Sequence, residues 1–423
     1  MNIALITNNY LPNKGGITNV MVNVHKYLTE FGEKVIVFNK SMHNKDLLYF
    51  RVLTNDNTLK GILTHNLKFI YFQIYLIFKI LFFFRDLKFK TRIRLVLFYC
   101  FYPKFLVRRI ISIKNLVKHF KKHKIDIILS GSANFPLFYS YVLSKWFRIP
   151  MITIGHGDDF IVQNPSAIKT LILNNIQKII VTNRIMKNLL IKIHNIHSQN
   201  VKIIHLGVDI ENSLVKESNF ELRNELGINK KDFIILTVSR FYPRKGFDTV
   251  LKAIKSIVDD TPNIQIKYFI VGDGEERTKI ATLITQLNLE KSVVLLGAID
   301  DHLKNKYYKL SDIFILVPEV KKNSIEGFGI VYIEANYFKL PVIGSRSGGV
   351  KIAVEDGKTG YLINPRDVKD LKEKILFLYK NKEVCMKFGE YGHERVIKQF
   401  NWKKNVLEYQ ILLKKCLKDS KVY

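Results

Sequence analysis

The sequence predicts an α/β protein of two domains. Three observations carry that reading. The amino-terminal stretch MNIALITNNYLPNKGGITNVMVNVHKYLTEFGEKVIVF reads as strand, glycine loop, helix and strand; FIILTVSRFYPRKGFDTVLKAI, in the second half, reads as a buried strand, a polar loop and an amphipathic helix; and 423 residues are long enough for two such domains.

In the first half, Ile3, Leu5 and Ile6 begin a buried strand, Val20, Val24, Tyr27 and Leu28 have helical spacing, and Val35 to Phe38 form the next strand. Gly15-Gly16 falls at the turn into the helix, as a ligand-lining loop or as an ordinary turn. Further on, Ile149 to Ile154 is apolar enough for a strand. His156-Gly157-Asp158-Asp159 follows at its end, the side of an α/β sheet where ligands bind. Most lone histidines are structural, but one flanked by glycines at a strand end is a site candidate.

The charge of +30 is unevenly spread. Between Lys60 and Lys124 sixteen Lys or Arg face one acid, Asp86, so this segment carries +15, half the excess. It also holds the 16-residue run Phe69 to Phe84, interrupted by Lys79, which is short of the roughly 20 apolar residues of a spanning helix. A helix lying in the interface, its cations on anionic headgroups, accounts for both features, and core helices with a solvated basic face are the alternative. Nucleic acid is disfavoured, because phosphate binding needs a basic polar surface rather than an almost unbroken apolar run. Cys100, Cys385 and Cys416 are too scattered for a metal site or a disulfide framework. Met1-Asn2 leads straight into a strand, with no signal peptide visible, so a cytosolic location is expected.

The second half opens with the strand Phe233 to Val238 and a helix with Val250, Leu251 and Ile254 inward. Arg240 and Lys245 sit in the loop between them, where a planar guanidinium and an ammonium suit a diphosphate. The next strand and turn, IKYFIVGDGEER, contain Gly272 and Gly274, which let a backbone approach a ligand or simply make a turn. The most informative segment is EGFGIVYIE. Gly327 and Gly329 precede the apolar residues Ile330, Val331, Ile333 and Ala335, a pattern for a tight loop opening a buried helix whose free N–H groups attract a pyrophosphate. Glu326 and Glu334 are acceptors only, suited to hydroxyls on either side of a diphosphate. A glycine-rich loop with Glu326 as an N-terminal charge and Glu334 on a solvated face is the alternative.

The series SRFYPRKG, VGDGEER, VVLLGAI, EGFGIVYIEA, LPVIGSRSGGV and EDGKTGYLINPRD, from about Phe233 to Asp367, resembles the nucleotide-binding half of the retaining glycosyltransferases of family 4. That resemblance implies the GT-B fold: two Rossmann-like domains facing across a cleft, with the terminal helix crossing back to the first. It implies that Arg240 and Lys245 hold the donor diphosphate, with the amides of Gly327, Phe328, Gly329 and Ile330. By the same resemblance Glu326 meets the transferred sugar, Glu334 the ribose and His156 the reacting sugar, while the Gly15-Gly16 loop lines the cleft. The resemblance also implies a metal-independent reaction, in which two cations and a helix N-terminus would neutralise the leaving diphosphate. Three positions depart from the family pattern: Ile352 where an acid is usual, Leu206 where asparagine is usual, and Lys339 where glycine is frequent. None is a proposed catalytic group.

The domains expected are 1–210, acceptor-binding, with the insert at about 60–124; 211–395, nucleotide-sugar-binding; and 396–423, a terminal helix on which Trp402, Val406, Tyr409 and Leu413 recur at helical spacing. The polar segment Glu211 to Asn219 fits the connection between domains. The expected activity is transfer of a hexose or N-acetylhexosamine from a UDP-sugar or GDP-sugar to a lipid-linked or surface-glycan acceptor. The expected location is the inner face of the cell membrane, docked on anionic lipid without nucleic acid. A nucleotide-sugar epimerase of the same architecture and a non-catalytic sugar-nucleotide-binding subunit are the rival readings.

Overall fold

A computed structural model describes residues 1–11, 15–39, 116–161, 166–210, 213, 215–321 and 324–420. Most of the basic aromatic insert, with the run Phe69 to Phe84 and Cys100, lies outside the described residues.

The chain forms two six-stranded parallel sheets. The first contains β1 (Asn2–Thr7), β2 (Lys34–Asn39), β3 (Ile127–Ser130), β4 (Met151–Gly155), β5 (Lys178–Val181) and β6 (Val201–Ile203), in the order β2-β1-β3-β4-β5-β6. The second contains β7 (Phe233–Val238), β8 (Ile266–Val271), β9 (Val293–Gly297), β10 (Ile313–Ile315), β11 (Val342–Ser345) and β12 (Gly360–Ile363), in the order β12-β11-β10-β7-β8-β9. Each order reverses once, between β1 and β3 in the first sheet and between β10 and β7 in the second. Beyond the carboxyl ends of strands flanking such a reversal a crevice opens, the place where open α/β sheets take ligands.

The strands are Ile, Val, Leu and Phe runs because both faces are covered by helices; Ile234, Ile235 and Leu236 of β7 are all fully buried. Helix Gly16–Glu30 buries Val20, Val24, Tyr27 and Leu28, and helix Phe247–Asp260 buries Val250, Leu251 and Ile254, as their spacing predicts.

Helix Trp402–Ser420 follows the second domain in sequence yet packs on helix Gly16–Glu30 of the first. Its buried face holds Trp402, Val406, Tyr409 and Leu413, and Gln410 Nε2 donates to the Phe31 carbonyl at 3.2 Å and to Glu33 at 2.6 Å. The crossing point is tied at Gly207-Val208. Val208 N donates to the Phe400 carbonyl at 2.7 Å, Asn405 Nδ2 donates to the carbonyls of His205 and Leu206 at 3.1 Å each, and a Cβ on Gly207 would collide with the backbone of Trp402. One core cluster therefore runs from β1 and β3 through the crossing helix into β7, β10 and β11.

Candidate active site

The loop after β7 is shaped by its apolar anchors. Phe241 is fully buried and meets Phe247 edge-on at 5.1 Å, and Gly246 turns at φ +73° where a Cβ would strike the Val317 carbonyl. Between these anchors the loop aims Arg244 and Lys245 inward, at the loop after β10. There Glu326 Oε2 accepts from Lys245 Nζ at 2.6 Å and from Arg244 Nη1 at 2.7 Å. All three side chains are nearly buried, 11 to 13% exposed. Burial alone would push the Glu326 carboxyl up; the Lys245 ammonium and the Arg244 guanidinium outweigh it and bring it down to about 2. Burial pulls the Lys245 ammonium down from its ordinary value, and Glu326 opposes that only in part.

The glycines of EGFG are required by close approaches. A Cβ on Gly327 would collide with the His156 carbonyl, and Gly329 takes φ +84° as it opens helix Ile330–Tyr337. Phe328 is buried against Phe400, 5.5 Å between ring centroids. Ile330 is half-buried at the first helical position, and Glu326 O accepts from Gly349 N at 2.8 Å, which fastens the SGG turn to the same loop. Glu334, one turn into that helix, accepts from the Tyr308 hydroxyl at 3.0 Å and faces Lys304 at 3.8 Å. Burial draws Lys304 down, and Glu334 with Asp301 more than restores it, so its ammonium titrates above the ordinary value.

The first domain meets this loop directly. His156 Nε2 donates to the Gly131 carbonyl at 2.8 Å, since a carbonyl can only accept, and this leaves Nδ1 as the ring's acceptor. Asp159 is buried and holds the loop shut by accepting from the amides of His156, Gly157 and Ala133 at 2.8 to 2.9 Å. Asp158 points the other way, across the cleft. It accepts from Ile325 N at 2.9 Å and from Ser324 Oγ at 3.2 Å, and lies 3.7 Å from Arg244. Asn183 Nδ2 donates to the Gly327 carbonyl at 2.7 Å.

The expected residues thus fall into groups. Glu326, Lys245, Gly327 and His156 come together at the facing loops. Arg240 does not join them: it is exposed, lies 5.1 Å over the Tyr242 ring, and faces Gly15, where a Cβ would stand 3.9 Å from its guanidinium. The cation that joins Lys245 on Glu326 is Arg244. Gly16 begins the first helix with nothing near its Cβ position, whereas a Cβ on Gly272 would collide with the Ser239 carbonyl, so that glycine serves the packing of two loops. Sequence reasoning missed Arg244, Asn183 and the cross-cleft role of Asp158. Only Arg244 left a local signal, being one half of Arg244-Lys245. Among the described residues, no group of three His, Cys, Asp or Glu side chains is placed to hold a metal ion.

Two Rossmann-like domains that face each other through loops at the carboxyl ends of their strands define the GT-B class. Comparison with known proteins narrows this. A family model described as Glycosyltransferase Family 4 matches residues 14–212, and one described as Glycosyl transferases group 1 matches residues 218–395. The N-acetyl-alpha-D-glucosaminyl L-malate synthase of Bacillus anthracis is 30% identical over 278 residues, covering 65% of this chain and 70% of the relative. The poly(ribitol-phosphate) alpha-N-acetylglucosaminyltransferase of Staphylococcus aureus is 26% identical over 276 residues, 65% of this chain and 52% of the relative. Among solved structures, a glycosyltransferase from Rickettsia africae superimposes with TM-score 0.71 at 20% identity, covering 99% of this chain and 98% of its own. HepE of Anabaena, solved with UDP and glucose, gives 0.68 at 17% identity, covering 98% and 100%. The chain belongs to the group 1 glycosyltransferases of family 4.

Proposed function

We propose that the protein is a retaining, metal-independent glycosyltransferase that moves a hexose or N-acetylhexosamine from a UDP-sugar or GDP-sugar to a lipid-linked or surface-glycan acceptor. One observation carries this reading: a buried carboxylate, Glu326, held ionised by Lys245 beside a glycine loop at a sheet's switch point, with the first domain's His156 loop against it. Such a site offers cations and amides to a diphosphate and carboxylates to hydroxyls, the two chemistries of a nucleoside-diphosphate sugar.

In the proposed mechanism Lys245, Arg240 and the amides of Gly327 to Ile330 take up charge on the diphosphate as its bond to the anomeric carbon breaks. Glu326 orients the transferred sugar, Glu334 the ribose, and His156 Nδ1 accepts from a sugar hydroxyl on the first domain's side. Closure aligns the acceptor hydroxyl with the anomeric carbon and excludes water. The N-acetyl-alpha-D-glucosaminyl L-malate synthase and the poly(ribitol-phosphate) alpha-N-acetylglucosaminyltransferase among its relatives support the hexosamine option, and the UDP and glucose bound to the Anabaena neighbour support a uridine donor. The +15 of residues 60–124 supports docking on anionic lipid at the inner membrane face. No helix among the described residues is long and apolar enough to cross a membrane.

The test is thermal stabilisation by UDP, GDP, ADP, CMP and their sugars, with and without chelator. A shift with one diphosphate that survives chelation supports the reading. No shift with any of them favours the non-catalytic alternative.

A further inference from the structure

Arg244 occupies a position that the donor chemistry above does not use. Its guanidinium makes three contacts at once: Nη1 to Glu326 at 2.7 Å, Nε to Ser324 Oγ at 2.8 Å, and Nη2 to Asp158 of the facing domain at 3.7 Å. Asp158 in turn accepts from Ser324 Oγ and from the amide of Ile325, the residue before Glu326. A guanidinium has donors enough for all three partners, and its planar fork holds them in one geometry.

The position matters because Lys245 has two uses for one ammonium. Here it is ion-paired with Glu326, but a diphosphate would need to draw it away. Removing a partner from a buried charge leaves that charge uncompensated, which is strongly unfavourable. With Arg244 still on the same carboxylate oxygen, Lys245 can turn to a phosphate without stranding Glu326. We infer that Arg244 is a positioning residue: the standing counter-ion of Glu326, held in place from across the cleft by Asp158, whose presence frees Lys245 for the donor diphosphate when the domains are closed. This rests on the donor reading proposed above and adds a residue and an order of events to it.

The experiment uses the full-length chain as wild type, Arg244→Gln, Arg244→Lys and Asp158→Asn. It has two readouts: affinity for UDP and for GDP by calorimetry, and hydrogen exchange of the ligand-free protein over residues 155–161. The inference expects Arg244→Gln to weaken binding of whichever diphosphate the wild type binds by about tenfold or more, with Arg244→Lys restoring part of it and Asp158→Asn giving a smaller loss. It also expects Arg244→Gln to quicken exchange in the His156 loop, although no backbone amide of that loop bonds to Arg244. Unchanged affinity in Arg244→Gln overturns the inference while leaving the donor reading intact. If the wild type binds neither diphosphate the donor reading fails, and unchanged exchange in Arg244→Gln then removes the coupling as well. Arg244→Lys, with a far-UV circular dichroism spectrum matching wild type, covers the case in which Arg244→Gln misfolds.

Discussion

The backbone of Gly327 lies against the backbone of His156 and Gly157, close enough that a Cβ on Gly157 would stand 3.4 Å from the Gly327 Cα and a Cβ on Gly327 would collide with the His156 carbonyl. Each glycine belongs to a different domain, so the seat between the domains is built from main chain on main chain at the point where Glu326 begins the EGFG loop.

Gly327→Ala therefore forces the two loops apart without touching the core. The expected outcome is a fall in turnover of at least about tenfold, with a change in thermal midpoint of only a few degrees. Steady-state kinetics beside a melting curve checks it, and unimpaired turnover contradicts it.

Glu326→Gln leaves Lys245 and Arg244 buried without their counter-ion, and should destabilise the protein by about 3 kcal/mol. The linkage has a definite sign. A carboxyl held at about 2 rather than at 4.5 contributes stability above pH 4.5, and that contribution is lost as pH falls through about 2. Urea denaturation across pH 3 to 7 should show the gap between wild type and Glu326→Gln narrowing on the acid side only; a gap independent of pH would mean that Glu326 is not held ionised by its partners.

Asn405 binds the carbonyls of His205, Leu206 and Gln399 through one amide, and so clamps the chain where it crosses between domains. Asn405→Ala should cost about 1 to 3 kcal/mol by stranding buried carbonyls. Denaturant midpoints measure the loss directly, and a variant as stable as wild type would deny the crossing point its clamp.

Docking on lipid is a prediction about residues 60–124, most of which lie outside the described residues. The protein should sediment with anionic vesicles, less so as salt rises, and weakly with charge-neutral ones. Failure with both would remove the membrane from the proposal.

What was legible in the sequence was whatever is encoded locally. The run Phe233 to Val238 is the strand β7 residue for residue, and the helical spacings of both the first and last helices match their buried faces. EGFG announced its loop because glycines leave a compositional trace, Gly329 where φ is positive and Gly327 where the His156 carbonyl leaves no room for a Cβ. Partnerships between distant segments leave none. Asp158 and Ile325 are 167 positions apart, and Asn183 and Gly327 are 144 apart, so only the closed fold assigns their hydrogen bonds. The same limit explains Arg244. Two arginines lie in the loop, and which of them turns inward depends on the buried anchors Phe241 and Gly246, a packing fact that spacing does not contain.

The central claim is that a nucleoside diphosphate sits between the loop after β7 and the EGFG loop. Hydrogen exchange of the protein with and without the diphosphate that stabilises it, in the presence of chelator, tests this most directly. The account predicts slowed exchange at residues 240–246 and 327–334, with the His156 loop following as the cleft tightens. Protection confined to another surface, or none at these loops under saturating ligand, would contradict it.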